Sequence, residues 1–260
     1  MLADAFIVVN LVYLLIHRIL TDMTTKPSDR SHAATILAVL LLIVTSQLFW
    51  GCASSGTSRP DRLDESIISV RSWGGTPDTG AHRTHEIHFI TLHHGGEPFT
   101  RDKDPQEYLR HLQSWSRSEK KWIGIPYHFL IDLDGKVYEG RNIDYAGDTN
   151  TEYDPTGHAL ICVLGNFEEV EPNQKQLDAV VDLFTYLCIK YNLPPDVIKS
   201  HKDYSKITVC PGKNLYRYLE SGYFKQEVTR KLKEYTERSS WSLPAERGNE
   251  VRQKRSGAMM

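Results

Sequence analysis

The run Glu86-Ile87-His88-Phe89-Ile90-Thr91-Leu92-His93-His94 alternates as a strand does. Ile87, Phe89, Thr91 and His93 fall on one face, and His88 and His94 on the other. Its last residues reach the rim of the sheet it joins, where a histidine can meet a ligand. A second stretch supplies companions. Ser200-His201-Lys202-Asp203-Tyr204-Ser205-Lys206-Ile207-Thr208-Val209-Cys210-Pro211-Gly212 places a histidine and a cysteine on one loop, with eight residues between them. Imidazole nitrogen and thiolate sulfur both bind zinc, and a catalytic zinc site takes three protein ligands and leaves the fourth position to water. His93, His201 and Cys210 are therefore the expected ligand set. His94, on the wrong face, is the poorer candidate and at most a supporting hydrogen-bond partner.

Around these stretches the pattern alternates between strands and helices. Asp104-Pro105-Gln106-Glu107 opens a helix with a capping aspartate and a proline in the first turn. Tyr108, Leu109, Leu112 and Trp115 are its expected buried stripe, with His111 in solvent. Residues 127–132 and 136–139 read as a hairpin about Asp134-Gly135, with Tyr127, Phe129 and Ile131 on a shared face. Residues 159–165 are apolar enough for the centre of a sheet. Residues 174–191 form the longest clear helix, ended by Asn192 and Pro194. Val197 and Ile198 make a brief strand leading to His201, residues 67–70 another before Trp73, and residues 214–237 one or two helices.

Composition narrows the function classes. With 260 residues, 40% of them hydrophobic, and a formal charge of −2, the chain can bury one sizeable core but lacks the basic footprint of a nucleic-acid binder. Cys52, Cys162, Cys188 and Cys210 are too sparse for a disulfide framework. Cys162 and Cys188 read as buried thiols, with a disulfide between them as the alternative.

The N-terminal region reads as an address. Residues 5–16 are apolar but short for a membrane span of about 20 residues. If translation starts at Met23, Lys26 and Arg30 precede an apolar run over residues 33–44, the layout of a secretory signal. Leu48-Phe49-Trp50-Gly51-Cys52 then resembles a lipobox, making Cys52 a candidate for lipidation and membrane anchoring. An uncleaved anchor or cleavage near Ala53 are the alternatives. The expected organisation is a leader over 1–52, a tether over 53–66, one folded domain over 67–237 and a disordered polar tail over 238–260. Such a protein is exported to the periplasm or cell envelope.

Five motifs in order carry a resemblance: Arg71-Ser72-Trp73-Gly74-Gly75, Ile90-Thr91-Leu92-His93-His94, Gly124-Ile125-Pro126-Tyr127-His128-Phe129, Asp134-Gly135-Lys136-Val137-Tyr138-Glu139-Gly140-Arg141 and Gly165-Asn166-Phe167. Over residues 67–219 the chain resembles the zinc-dependent N-acetylmuramoyl-L-alanine amidases, including peptidoglycan recognition proteins and bacteriophage amidases. The resemblance implies an α/β fold, a single domain with a central mixed β-sheet flanked by helices and a zinc site at the sheet rim. It also implies zinc-dependent hydrolysis of the amide joining N-acetylmuramic acid to L-alanine, with peptidoglycan or muropeptides as partner. Tyr127 matches a tyrosine that projects toward the zinc. Thr208, two residues before the last ligand, matches a position held by Lys or Thr, with Lys206 as the alternative. Trp73 is expected in the core. Tyr145-Ala146-Gly147-Asp148 departs from relatives that carry a histidine there. Non-catalytic members typically lose the cysteine ligand, which this chain keeps. A binding-only module and a zinc peptidase remain as alternatives, although no His-Glu-x-x-His helix is present.

Overall fold

The computed structural model describes residues 63–78 and 82–241. In chain order the elements are α1 (Leu63–Ser66), β1 (Phe89–His94), α2 (Pro105–Ser118), β2 (Phe129–Ile131), β3 (Val137–Glu139), β4 (His158–Val163), α3 (Gln174–Lys190), β5 (Ile198–Ser200), α4 (His201–Tyr204), α5 (Lys213–Glu220) and α6 (Tyr223–Trp241). The strands form one sheet in the order β3-β2-β4-β1-β5. The sheet is mixed: β4 runs parallel to β1 and β2, β5 runs parallel to β1, and the β2–β3 hairpin is antiparallel.

Local chemistry sets the boundaries. Asp104 caps α2 by accepting the Glu107 N–H at 2.7 Å, and Asn173 and Gln176 cap α3 reciprocally. In the hairpin, Asp132 Oδ1 accepts the N–H groups of Asp134 and Lys136. Gly135 has φ +76°, and a Cβ there would lie 2.7 Å from the Lys175 carbonyl oxygen, so this turn needs glycine.

The two faces of the sheet are covered differently. Ile90, Leu92, Ala159, Ile161, Val163, Phe129 and Ile131 pack on one face against Leu177, Val180, Phe184 and Leu187 of α3, with Phe224 and Val228 of α6 beyond. On the other, Leu130, Cys162 and Leu164 meet Trp73, Phe99, Leu109 and Tyr138. Trp73 is fully buried, and its indole N–H donates to the Glu139 carbonyl at 2.7 Å. Cys162 and Cys188 are buried and free, so no disulfide joins them.

Several expectations are corrected. The strand over 67–70 reduces to a single bridge from Ile68 to Tyr138, because the chain turns at once to bury Trp73. Leu63 is buried in the core, and Asp64 bonds the Tyr186 hydroxyl, so the tether expected over 53–66 ends in ordered structure. The last helix runs on to Trp241, past the expected boundary at 237. On α2 the buried residues are Leu109, Gln113 and Ser116, while Trp115 is 45% exposed. Gln113 is buried because its amide bonds both the N–H and the carbonyl of Thr76, each at 2.9 Å. Tyr127 packs with Leu130 rather than with Phe129 and Ile131. It lies just before β2, between bends at Pro126 and His128, where strand alternation does not hold. Cys52, the leader and the remainder of the tail lie outside the described residues.

Candidate metal centre

β1 delivers His93, and the edge strand β5 ends one residue before His201. Asp203 fixes that junction by accepting both the N–H and the hydroxyl of Ser200, at 2.7 and 2.8 Å. The loop beyond α4 closes through the Lys202 N–H, which donates to the Cys210 carbonyl at 2.9 Å. Behind it Gly212 has φ +86°, and a Cβ there would lie 2.4 Å from the Phe167 backbone. Only glycine allows so close an approach. As a result one ligand atom from each of His93, His201 and Cys210 lies within 4.8 Å of the others, all three side chains being buried.

The electrostatics suit a cation. Burial drives His201 down to about 4 and holds His93 well below its ordinary value, with neighbouring histidines adding to the effect. Both rings are therefore neutral at pH 7 and able to donate a lone pair. Burial pushes the Cys210 thiol up to about 12, opposed by the His94 backbone N–H, which points at the sulfur from 3.4 Å. Metal binding must expel that proton. Two imidazoles and one thiolate fit zinc with one coordination position open, the arrangement of catalytic rather than structural sites.

His93 Nδ1 lies 3.6 Å from Cys210 Sγ. The Nε2 atoms of both histidines meet hydroxyl groups. His201 Nε2 lies 2.7 Å from Thr151 Oγ1, and His93 Nε2 lies 3.4 Å from the Tyr153 hydroxyl. The sequence reading passed over these partners. The polar stretch over 144–157 reads as a loop at the rim of the site, but its residues carry no spacing signal that singles out Thr151 or Tyr153.

A cleft of about 910 Å³ opens over the cluster, with Tyr127, Thr208, Trp115, Trp122 and Asp148 among its lining residues. The Tyr127 and His93 ring centroids are 5.1 Å apart. Burial raises the Tyr127 hydroxyl well above its ordinary value, so it keeps its proton and remains a donor. The Thr208 hydroxyl accepts the Cys210 N–H at 3.1 Å. Lys206 is exposed and its backbone N–H bonds Glu152, whereas Thr208 lines the cleft. Asp148, in the segment that departs from the family pattern, is held by the buried Arg141 guanidinium at 2.6 Å. His94 stays on the α3 face, where its Nδ1 accepts the Phe167 N–H at 3.3 Å.

Fold and donor set together define a class: a mixed-sheet α/β domain with a His-His-Cys cluster beside the carboxyl ends of parallel strands. The family model for N-acetylmuramoyl-L-alanine amidase matches residues 83–213, and the chain belongs to that family. Peptidoglycan-recognition protein SA of Drosophila melanogaster is 31% identical over 187 residues, 71% of this chain and 88% of the relative. Peptidoglycan recognition protein 1 of Mus musculus is 28% identical over 60% of this chain and 86% of its own. Among solved structures, the ectodomain complex of peptidoglycan recognition proteins LCa and LCx, crystallised with tracheal cytotoxin bound, aligns with a TM-score of 0.54 at 28% identity. That match covers 59% of this chain and 94% of the other.

Proposed function

We propose that this protein hydrolyses the amide bond between N-acetylmuramic acid and L-alanine in peptidoglycan, using one zinc ion held by His93, His201 and Cys210. The observation that carries the reading is the convergence of three buried ligands and a protonated tyrosine on one cleft. Zinc, when bound there, supplies Lewis acidity that polarises a carbonyl and brings a water's pKa to about 7. The chain's own residues do the rest. The neutral imidazoles of His93 and His201 and the deprotonated sulfur of Cys210 hold the metal. Tyr127 aims a neutral hydroxyl at the position where the scissile carbonyl oxygen gains charge. Thr208, bonded to the Cys210 N–H, fixes the loop that carries the last ligand and presents its own side chain to the cleft.

A second reading, binding without cleavage, is favoured by the relatives named as recognition proteins. One experiment separates the two. Zinc-loaded protein is incubated with purified muropeptides and the products are weighed by mass spectrometry. Free stem peptide beside intact disaccharide supports the amidase. Saturable binding with unchanged muropeptide supports recognition alone, and cleavage within the stem supports a zinc peptidase. The same proposal places the protein outside the cytoplasm, held at a membrane by lipid on Cys52 or by its leader. Its support is the sequence of residues 23–52, and release of Cys52→Ser from membranes is the matching observation.

A further inference from the structure

Residues 151–153, consecutive in the loop between β3 and β4, each reach a different part of the ligand set. Thr151 Oγ1 lies 2.7 Å from His201 Nε2. The Glu152 carboxylate accepts the Ser205 hydroxyl at 2.7 Å and the Lys206 N–H at 3.1 Å, in the loop that ends at Cys210. The Tyr153 hydroxyl lies 3.4 Å from His93 Nε2. The Tyr153 ring stacks on Tyr204 of α4 at 5.7 Å and meets His158 edge-on at 5.5 Å, so packing holds the hydroxyl in place.

One assignment of the protons satisfies all of these contacts, including the 3.4 Å approach of Thr149 Oγ1 to His201 Nε2. Thr149 Oγ1 accepts the Thr151 N–H at 3.1 Å and lies 2.9 Å from Thr151 Oγ1. When the Thr151 hydroxyl proton points to Thr149, its oxygen has only lone pairs left for His201. His201 must then donate from Nε2, which leaves its Nδ1 bare. For His93, the nitrogen beside Cys210 is Nδ1 and the one beside Tyr153 is Nε2. With the Tyr153 hydroxyl likewise accepting from His93, both rings would carry their proton toward the loop, and the bare nitrogen of His93 is the one beside Cys210.

We propose that Thr151, Glu152 and Tyr153 are positioning residues, a brace that locks His93 and His201 in the Nε2–H tautomer and pins the Cys210 loop against them. The inference rests on the zinc-site reading above. A partner behind a metal-bound imidazole sets which nitrogen is free and which way the ring faces. The shorter contact, Thr151 to His201, is the stronger of the two.

The test uses zinc-free and zinc-titrated protein and needs no turnover. Long-range proton–nitrogen correlation spectra of the zinc-free protein report which ring nitrogen carries the proton, and competition with a chelator of known affinity gives the zinc dissociation constant. Wild type should show both rings protonated at Nε2. Thr151→Val should mix the His201 tautomers and weaken zinc binding about 10–100-fold. Thr151→Ser should restore both readings, and Tyr153→Phe should act in the same direction on His93 with a smaller change. His201 protonated at Nδ1 in the wild type would overturn the proposal. So would a Thr151→Val protein, folded by circular dichroism, whose tautomers and zinc affinity match the wild type. Wild-type protein that takes up no zinc would sink the zinc reading, and the metal-free spectra would still decide the brace.

Discussion

The two faces of the sheet are made by the same five strands and do different work. Under α3 the strands present Ile90, Leu92, Ala159, Ile161 and Val163, an apolar surface that turns polar only at its rim, at His94. On the opposite face they present Thr91, His93 and Cys162, with Tyr127 beside them. His93 and His94 are neighbours in sequence, yet alternation sends one to the ligand cluster and the other to the Phe167 N–H. Burial keeps both rings neutral. Only the face decides whether the free lone pair meets a ligand cluster or a backbone amide. The α3 face is thus given over to packing, whereas the opposite face shares its second core, around Trp73 and Leu109, with the ligand cluster.

Substitutions on each side sharpen or break that division. The largest effect is expected from Cys210→Ser, which replaces a soft ionisable sulfur by a hydroxyl that stays protonated. Zinc content and turnover should both drop by more than the ~10–100-fold that losing a partner behind a ligand costs, with the thermal midpoint of the metal-free protein close to wild type. Metal analysis beside the muropeptide assay reads this.

Acidification comes next. His128 is fully buried, donating from Nε2 to the Tyr145 carbonyl and accepting the Leu160 N–H at Nδ1. Burial takes it to about 3 and His158 to about 4, whereas the unfolded chain protonates each near pH 6.5. Between these values the unfolded state binds more protons. Stability present above about pH 6.5 is therefore lost as pH falls toward 4, by about 1.4 kcal/mol per pH unit for each ring. Urea midpoints measured from pH 7 to 4.5 should fall continuously, and a flat profile would show that these rings are solvated.

Phe184→Ala on α3 should cost about 3–5 kcal/mol in urea unfolding while the folded fraction still binds one zinc. Loss of zinc affinity in that variant would break the division of labour. Tyr127→Phe should do the reverse, lowering turnover about 10²–10³-fold with zinc content and stability held. Wild-type turnover would remove Tyr127 from the mechanism. The smallest effect is expected from His94→Ala. It leaves the buried Phe167 N–H without its partner, at about 1–3 kcal/mol of stability, and zinc titration should give nearly wild-type affinity. An emptied site would mean that the two histidines act as one unit.

The sequence was most legible where one periodicity ruled. The strand through His93, the helix Gln174–Lys190 and the hairpin about Gly135 follow from alternation, helical spacing with a stop at Asn192 and Pro194, and turn chemistry. The ligand cluster was legible because His201 and Cys210 share a loop and alternation singled out His93. Reading failed where long-range hydrogen bonds override pattern. Gln113 is buried because Thr76 satisfies its amide, which turns α2 and leaves Trp115 at the cleft. Tyr127 sits between bends at Pro126 and His128, so the strand's period assigned it to the wrong neighbours. Thr151 and Tyr153 were invisible for a different reason, since nothing in a loop's own sequence tells which distant ring it will touch.

The position of β5 has a consequence for how the molecule comes into being. This three-residue edge strand pairs only with β1, from which it is separated by about a hundred residues of chain. Contacts so distant in sequence are formed against loop-closure entropy. His93 emerges early in synthesis, but its two companions lie just beyond β5, so a nascent chain that stops short of residue 201 holds only one member of the cluster. The full cluster is therefore assembled only when β5 docks on β1, and any metal it takes up would report the docking of that last strand.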